Sequence, residues 1–326
     1  MRMWSLAWRI VWGLSISTTA LAGDFDQDSN YLEFKKRMVE QHQFDATQLD
    51  QLFGSVESKA NILKIMTAPG ESKPWYDYRD QFLTPTRISK GVAFASLYRS
   101  ALERAEEKYG VPRAVILGIL GVETGFGANK GSFRTIDALA TLAFGYPRRA
   151  EFFQNELAEF LILAREQQLD PLTVRSSYAG AIGYPQFMPS SIRKFAVDFD
   201  GDQKIDLRNS ATDAIGSIAN YLSMHGWQKG HPIGVRAIYT GQDDTQVIAT
   251  DLTKPRPASE LKALGLSPVT APVADTDLVN GIRLMEETGA AYWMTYPNFQ
   301  VITTYNRSRM YATAVWQLGQ AIVEAQ

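Results

Sequence analysis

Glu123 is the residue most suited to do chemistry here. It closes the run VPRAVILGILGVETGFG, residues 111–127. Pro112 suits the first turn of a helix. Val115, Ile119 and Val122 then form one apolar stripe, and Ile116 and Leu120 form another. A helix apolar on nearly every face is a buried one. Continuing the second stripe by three residues reaches Glu123, just before Gly125 and Gly127 end the helix. Burial disfavours the charged form of a carboxyl, and a carboxyl that keeps its proton in a cleft is a general acid. The alternative is a glutamate at a frayed helix end, solvated or salt-bridged.

Two further stretches carry polar groups at telling spacings. RSSYAGAIGYPQFMPSS, residues 175–191, joins two glycines and two prolines to Tyr178, Tyr184, Phe187 and Met188. It reads as a structured loop beside a cleft, offering Ser177 and Gln186 as hydrogen-bonding groups. It holds no carboxylate. Downstream, Asp198, Asp200, Asp202, Lys204 and Asp206 stand at alternate positions, with Ile205 where an EF-hand loop puts its apolar anchor. Either this is a cation loop or it is an acidic turn. It departs from the EF-hand pattern twice: Gln203 replaces the glycine at the sharp turn, and Asn209 replaces the closing glutamate, so Asp213 would have to close the loop.

Composition excludes several kinds of chemistry. The chain has 326 residues, no cysteine and three histidines, His42, His225 and His231. Thiol and disulfide chemistry are absent, and the histidines are too scattered for a zinc or triad site. Met1 to Arg9 has two arginines and no acid, IVWGLSIS is apolar, and Ala20-Leu21-Ala22 is small. That pattern predicts a secretory leader over residues 1–22, with no cysteine after it to take a lipid anchor. Without Arg2 and Arg9 the formal charge moves from −2 to −4, which disfavours nucleic acid as a partner.

The elements that must position these residues read mostly as helices. Residues 28–110 are helical in pattern, ending in one long helix from Pro85 to Gly110. Trp75 to Arg79 is aromatic enough either to pack in a core or to line a cleft. Phe133–Leu142 and Arg149–Gln168 read as two more helices, joined by a turn whose Arg148 and Arg149 are either solvated or in contact with an acidic or polar ligand. Asp213–His225 reads as a helix with Tyr221 beside its apolar face. From His231 to Pro297 prolines and strand-like runs appear (VRAIY, QVIAT, GIRLM, AAYWMTY), with a short helix near Ala258–Leu264. Helical character returns from Phe299, where Tyr311, Ala314, Val315, Leu318 and Ile322 share a face. The predicted class is α+β, mainly α, with a small β-containing insertion.

Six segments in order resemble the membrane-bound lytic murein transglycosylase B family. They are VETGFG, YPRRAEFF, SYAGAIGYPQFMPSS, the Asp loop with DAIGSIANYL, HGW, and TYNRSRMYATAVWQLG, across roughly residues 28 to 324. The resemblance implies an N-terminal helical domain (23–95), a lysozyme-like catalytic core with an EF-hand-like loop (96–230), a small β-containing domain (231–298) and a C-terminal helix returning to the core (299–326). It implies cleavage of the bond from N-acetylmuramic acid to N-acetylglucosamine in peptidoglycan glycan strands. Glu123 would be the acid/base, and Ser177, Gln186, Tyr221, Tyr305 and Asn306 would line saccharide subsites. Asp198, Asp200, Asp202, the Lys204 carbonyl and Asp213 would hold a structural Ca2+. The expected protein is a periplasmic monomer without a membrane anchor. A muramidase on the same fold and a non-catalytic, calcium-stabilised wall-binding protein are the rival expectations.

Overall fold

The computed structural model describes residues 23–68 and 73–326; the predicted leader lies outside them. Apolar residues at helical spacing divide the chain into two compact units at Glu57/Ser58. In the first, α1 (Ser29–His42) and α2 (Ala46–Phe53) are capped by Asp28 and Asp45, whose carboxylates accept from the Asn30 and Gln48 N–H groups. Phe34, Met38, Leu49 and Phe53 are buried between them.

The second unit begins with α3 (Ala60–Thr67), α4 (Trp75–Arg79), α5 (Pro85–Leu97) and α6 (Arg99–Tyr109). The single helix expected from Pro85 to Gly110 is therefore two, interrupted at Tyr98. The break lets α5 pack on the core while α6 turns to a different neighbour. Next come α7 (Arg113–Thr124), β1 (Phe133–Arg134), α8 (Thr135–Gly145), α9 (Ala150–Glu166), β2 (Arg175–Ser176), α10 (Pro189–Phe195) and α11 (Ala211–Met224). The chain closes with α13 (Pro297–Tyr305) and α14 (Arg309–Glu324), which follow the insertion described below.

The core is built around α7, where every residue from Val115 to Gly121 is buried. Each large apolar side chain so buried contributes about 1.5–3 kcal/mol, an upper estimate for a real unfolded chain. The five from Val115 to Leu120 together outweigh the cost of keeping one carboxyl out of bulk water. Helix α14 packs antiparallel on α7 at close range. A Cβ on Gly118 would lie 2.0 Å from the Val315 carbonyl oxygen, and one on Gly319 would lie 2.0 Å from that of Ala114. A Cβ on Gly91 of α5 would lie 2.5 Å from the Ile322 side chain. Helix α5 thus packs on the core helices α7 and α14.

The insertion holds β3 (Gly234–Tyr239), β4 (Arg256–Pro257), α12 (Ala258–Ala263), β5 (Leu266–Pro268), β6 (Leu278–Glu286) and β7 (Gly289–Thr295). Its sheet runs β4-β6-β7-β3-β5, antiparallel throughout, over a core including Val235, Val247, Leu261, Leu266, Val279 and Met294. VRAIY, GIRLM and AAYWMTY fall in strands, but QVIAT does not. There the Asp243 carboxylate caps a short turn at Asp244–Gln246, and Ile248 makes only an isolated bridge to Gly281. Among the described residues no helix is long and apolar enough to cross a membrane.

Candidate active site

Helix α7 ends in a tight turn just past Glu123. Gly125, Phe126 and Gly127 have φ of 56°, 63° and 86°, three left-handed residues in a row. Only glycine takes that conformation cheaply. Phe126 does so with its ring against Phe94, 5.4 Å between centroids, and its N–H on the Leu120 carbonyl. Gly127 is also fixed by space, since a Cβ there would lie 2.1 Å from the Tyr184 ring. Thr124, adjacent to Glu123, completes the clamp. Its hydroxyl lies 3.2 Å from the Tyr184 carbonyl and accepts from the Gly127 N–H at 2.9 Å. The loop from 175 to 191 is thereby tied to the end of the Glu123 helix.

Glu123 is half-buried, and burial pushes its carboxyl up to about 7 from an ordinary 4.5. The Tyr311 hydroxyl, donating to Oε1 at 2.5 Å, pulls in the opposite direction because it favours the ionised form. No other charged group among the described residues adds to the shift. With Oε1 occupied as an acceptor, Oε2 is the oxygen left to carry the proton. Tyr311 is held by the first turn of α14, where the Ser308 side chain caps its N–H at 3.2 Å.

Around this pair the structure gathers aromatic rings from distant segments. Tyr305 lies nearly parallel to Tyr311, at 6.3 Å and 14°, and its hydroxyl donates to the Pro185 carbonyl at 2.5 Å. Burial and the Glu123 charge together push the Tyr305 hydroxyl far up. Phe187 lies 5.7 Å from Tyr305 and 5.4 Å from Tyr221, which itself lies 5.0 Å from Tyr305. Tyr221 is only 8% exposed, and its hydroxyl is taken by the Thr304 carbonyl, so it backs Tyr305 and offers little open surface. Gln186, between Pro185 and Phe187, takes φ 49° and donates through Nε2 to the Gly183 carbonyl at 2.9 Å. Asn306 follows Tyr305 on the exposed turn into α14. The Ser177 hydroxyl accepts from the Ala181 N–H at 3.1 Å, closing its own turn.

The undecided segments divide. Trp75 is core, 1% exposed, whereas Tyr78 is half-buried and near enough to feel the Glu123 charge. Arg149 is solvated and stacks over Phe152 at 4.2 Å.

The aspartate loop folds as a tight turn. Ligand oxygens of Asp198, Asp200 and Asp202 lie within 4.8 Å of one another, a donor set of hard oxygens suited to calcium. Gln203 takes the sharp turn at φ 69°. Asp213 lies outside that trio and is 1% exposed; its oxygens accept from the Phe199, Asp200 and Asp206 N–H groups. It pins both ends of the loop to α11.

Tyr311 and Thr124 are the contributors that residue spacing did not single out. A tyrosine at the first turn of a packed helix carries a hydroxyl that must find a partner, and that was the available signal.

A family model described as Transglycosylase SLT domain matches residues 26–320. The chain is 44% identical to the membrane-bound lytic murein transglycosylase B of Escherichia coli (strain K12), across 94% of this chain and 86% of that protein. The X-ray structure of catenated lytic transglycosylase SltB1 from Pseudomonas aeruginosa superimposes with a TM-score of 0.88 at 46% identity, covering 93% of this chain and 99% of that one. Escherichia coli lytic transglycosylase Slt35 in complex with calcium gives a TM-score of 0.86 at 44% identity, covering 94% and 96%. With its half-buried glutamate on a lysozyme-like helical core and this likeness along nearly its whole length, the chain belongs to the lytic murein transglycosylases of the SLT-domain family.

Proposed function

We propose that Glu123 works alone as acid and then base, cleaving the MurNAc-GlcNAc β-1,4 bond and leaving 1,6-anhydromuramic ends. The observation that supports this reading is a half-buried carboxyl, hydrogen-bonded by the Tyr311 hydroxyl and pushed up to about 7 by burial. An ordinary glycosidase needs two carboxyls about 5–9.5 Å apart. Here the substrate supplies the missing parts. Glu123 gives its proton to the glycosidic oxygen, and the bond to C1 of muramic acid breaks. The N-acetyl oxygen of that sugar stabilises the cation at C1, as in substrate-assisted enzymes. The 6-hydroxyl of the same sugar then bonds to C1, and its proton returns to Glu123. No water is consumed. An intramolecular attack of this kind has an effective molarity on the order of 10⁵ M or more, enough to outrun water.

Tyr305, Gln186, Asn306, Ser177 and, from behind, Tyr221 are proposed to hold the sugars, with Tyr311 fixing the carboxyl rotamer. Asp198, Asp200, Asp202 and the Lys204 carbonyl would hold one calcium ion, with Asp213 anchoring the loop or closing the shell. The relative solved with calcium supports an ion here, which would serve stability and not the reaction. The leader-like pattern of residues 1–22 supports export to the periplasm, where the protein would act as a monomer.

The test is digestion of purified sacculi by native protein and by Glu123→Gln. Soluble muropeptides released by the native protein and not by a folded variant are expected. Release by both would remove Glu123 from the reaction, and release by neither would favour the wall-binding reading.

A further inference from the structure

Helix α10 has no cap of its own. The residue at its N-cap position is Met188, whose side chain makes no bond to the free N–H groups of the first turn. Glu156, from α9, supplies the cap across the helix pair. Its Oε2 accepts from the Ser190 N–H at 3.0 Å and its Oε1 from the Ser190 hydroxyl at 2.6 Å. Glu156 is 5% exposed. Among the described residues those two bonds, both to one partner, are its hydrogen bonds; Glu159 and Arg149 act on its charge from farther off. A buried carboxylate without a cation is a costly way to cap a helix that a serine or aspartate at position 188 would cap in place.

The reason for the longer route lies in what precedes α10. From Tyr184 to Pro189 the chain alternates: Tyr184, Gln186 and Met188 are half-buried, while Pro185, Phe187 and Pro189 are buried. Position 188 is thus on the accessible side, and the cap comes from the buried side. Gln186 holds a left-handed φ of 49°, which a residue other than glycine keeps only where its surroundings hold it. Upstream, the Tyr184 N–H donates to the Leu207 carbonyl at 2.8 Å, and the Tyr184 carbonyl meets the Thr124 hydroxyl. Downstream, only Met188 and Pro189 separate Phe187 from Ser190, and proline allows the link little freedom. A shift in the first turn of α10 is therefore passed to Gln186 and to Phe187, whose ring lies 5.7 Å from Tyr305.

We propose that Glu156 is a positioning residue for murein cleavage: bonded to Ser190, it fixes the first turn of α10 and through it the seat of Gln186 and Phe187 beside Tyr305. The proposal rests on the reading above, in which Gln186 and Tyr305 hold the sugars. Glu156 touches no sugar itself and acts through the loop.

The test is Glu156→Gln, which keeps the size of the side chain but leaves one acceptor oxygen where two bonds were accepted. Steady-state kinetics on soluble glycan strands are compared at a temperature where native protein and variant are both folded. KM should rise about 10-fold with kcat within about twofold, because the lost contacts hold the sugars equally before and during the reaction. Ser190→Ala keeps the N–H bond and should raise KM about threefold, whereas Ser190→Thr, which keeps the hydroxyl, should stay near native. A purely structural carboxylate would lower the melting temperature of Glu156→Gln and leave KM at its native value. That result overturns the proposal, as does a fall in kcat alone. If Glu156→Gln does not fold, Ser190→Ala decides on the same terms. Native protein that cleaves no strand overturns the murein reading and this proposal with it; native cleavage with KM unchanged in both variants overturns this proposal alone.

Discussion

Glu123 must hold a proton to start the proposed reaction and must lose it before the ring closes, so a carboxyl near 7 is poised for both steps. Activity should fall as pH rises through about 7, because the acid form is then lost. Tyr311→Phe removes the one contact that lowers this carboxyl. Its alkaline limb should move to higher pH and its rate should drop about 10-fold, which a pH–rate profile on soluble glycan would read. Stability gives a second check. The folded value lies above the unfolded one, so folding favours the protonated form. That contribution is whole below about 4.5 and is lost as pH rises through about 7. Glu123→Gln should therefore melt higher than native protein at pH 8, by about 2 kcal/mol after allowing for partial exposure, and equally at pH 4. Glu123 was legible because helical spacing carries an apolar stripe straight into it. Tyr311 was not, since it sits on the same apolar face as Ala314, Val315 and Leu318, and its hydrogen-bond partner is 188 residues away in the chain.

Among the elements, the α7–α14 pair sets the distance from Glu123 to Tyr311. Gly118→Ala or Gly319→Ala would drive a methyl against a backbone carbonyl. Each should cost about 1–3 kcal/mol in a urea titration. Each should also lower activity in excess of the stability loss, because α14 carries Tyr311. A glycine inside a helix reads as a weakness from sequence, and only the partner helix shows why it is there. The aspartate loop is the converse case. Its alternation and the misplaced Gln203 were both readable, and Gln203 does take a left-handed φ of 69°. Gln203→Gly should therefore raise the melting temperature, by about 1 kcal/mol or less. The strand expected at QVIAT failed for a local reason, since Asp243 caps a turn where alternation alone predicts pairing. The helix expected to run through Tyr98 failed because two halves had to meet different neighbours, which periodicity within one segment cannot express.

For the whole molecule, the order of elements and the β-containing insertion were readable from runs and breaks in apolar spacing, but the packing partners of each helix were not. Helices α3 to α5 look like those before them and differ only in what they pack on. If calcium fills the loop it binds the folded chain alone, so millimolar calcium should raise the melting temperature and chelator should lower it. The shift is worth about 2.7 kcal/mol at one hundred times the dissociation constant, and an unchanged melt would remove the ion from the account. The central claim is that one carboxyl suffices because the sugar attacks itself. Mass analysis of the muropeptides released from sacculi tests it directly. The account predicts ends lighter by one water than reducing ends, the 1,6-anhydro form, from the first minutes of digestion. Reducing muramic ends as the primary product would contradict it and make the protein a hydrolase.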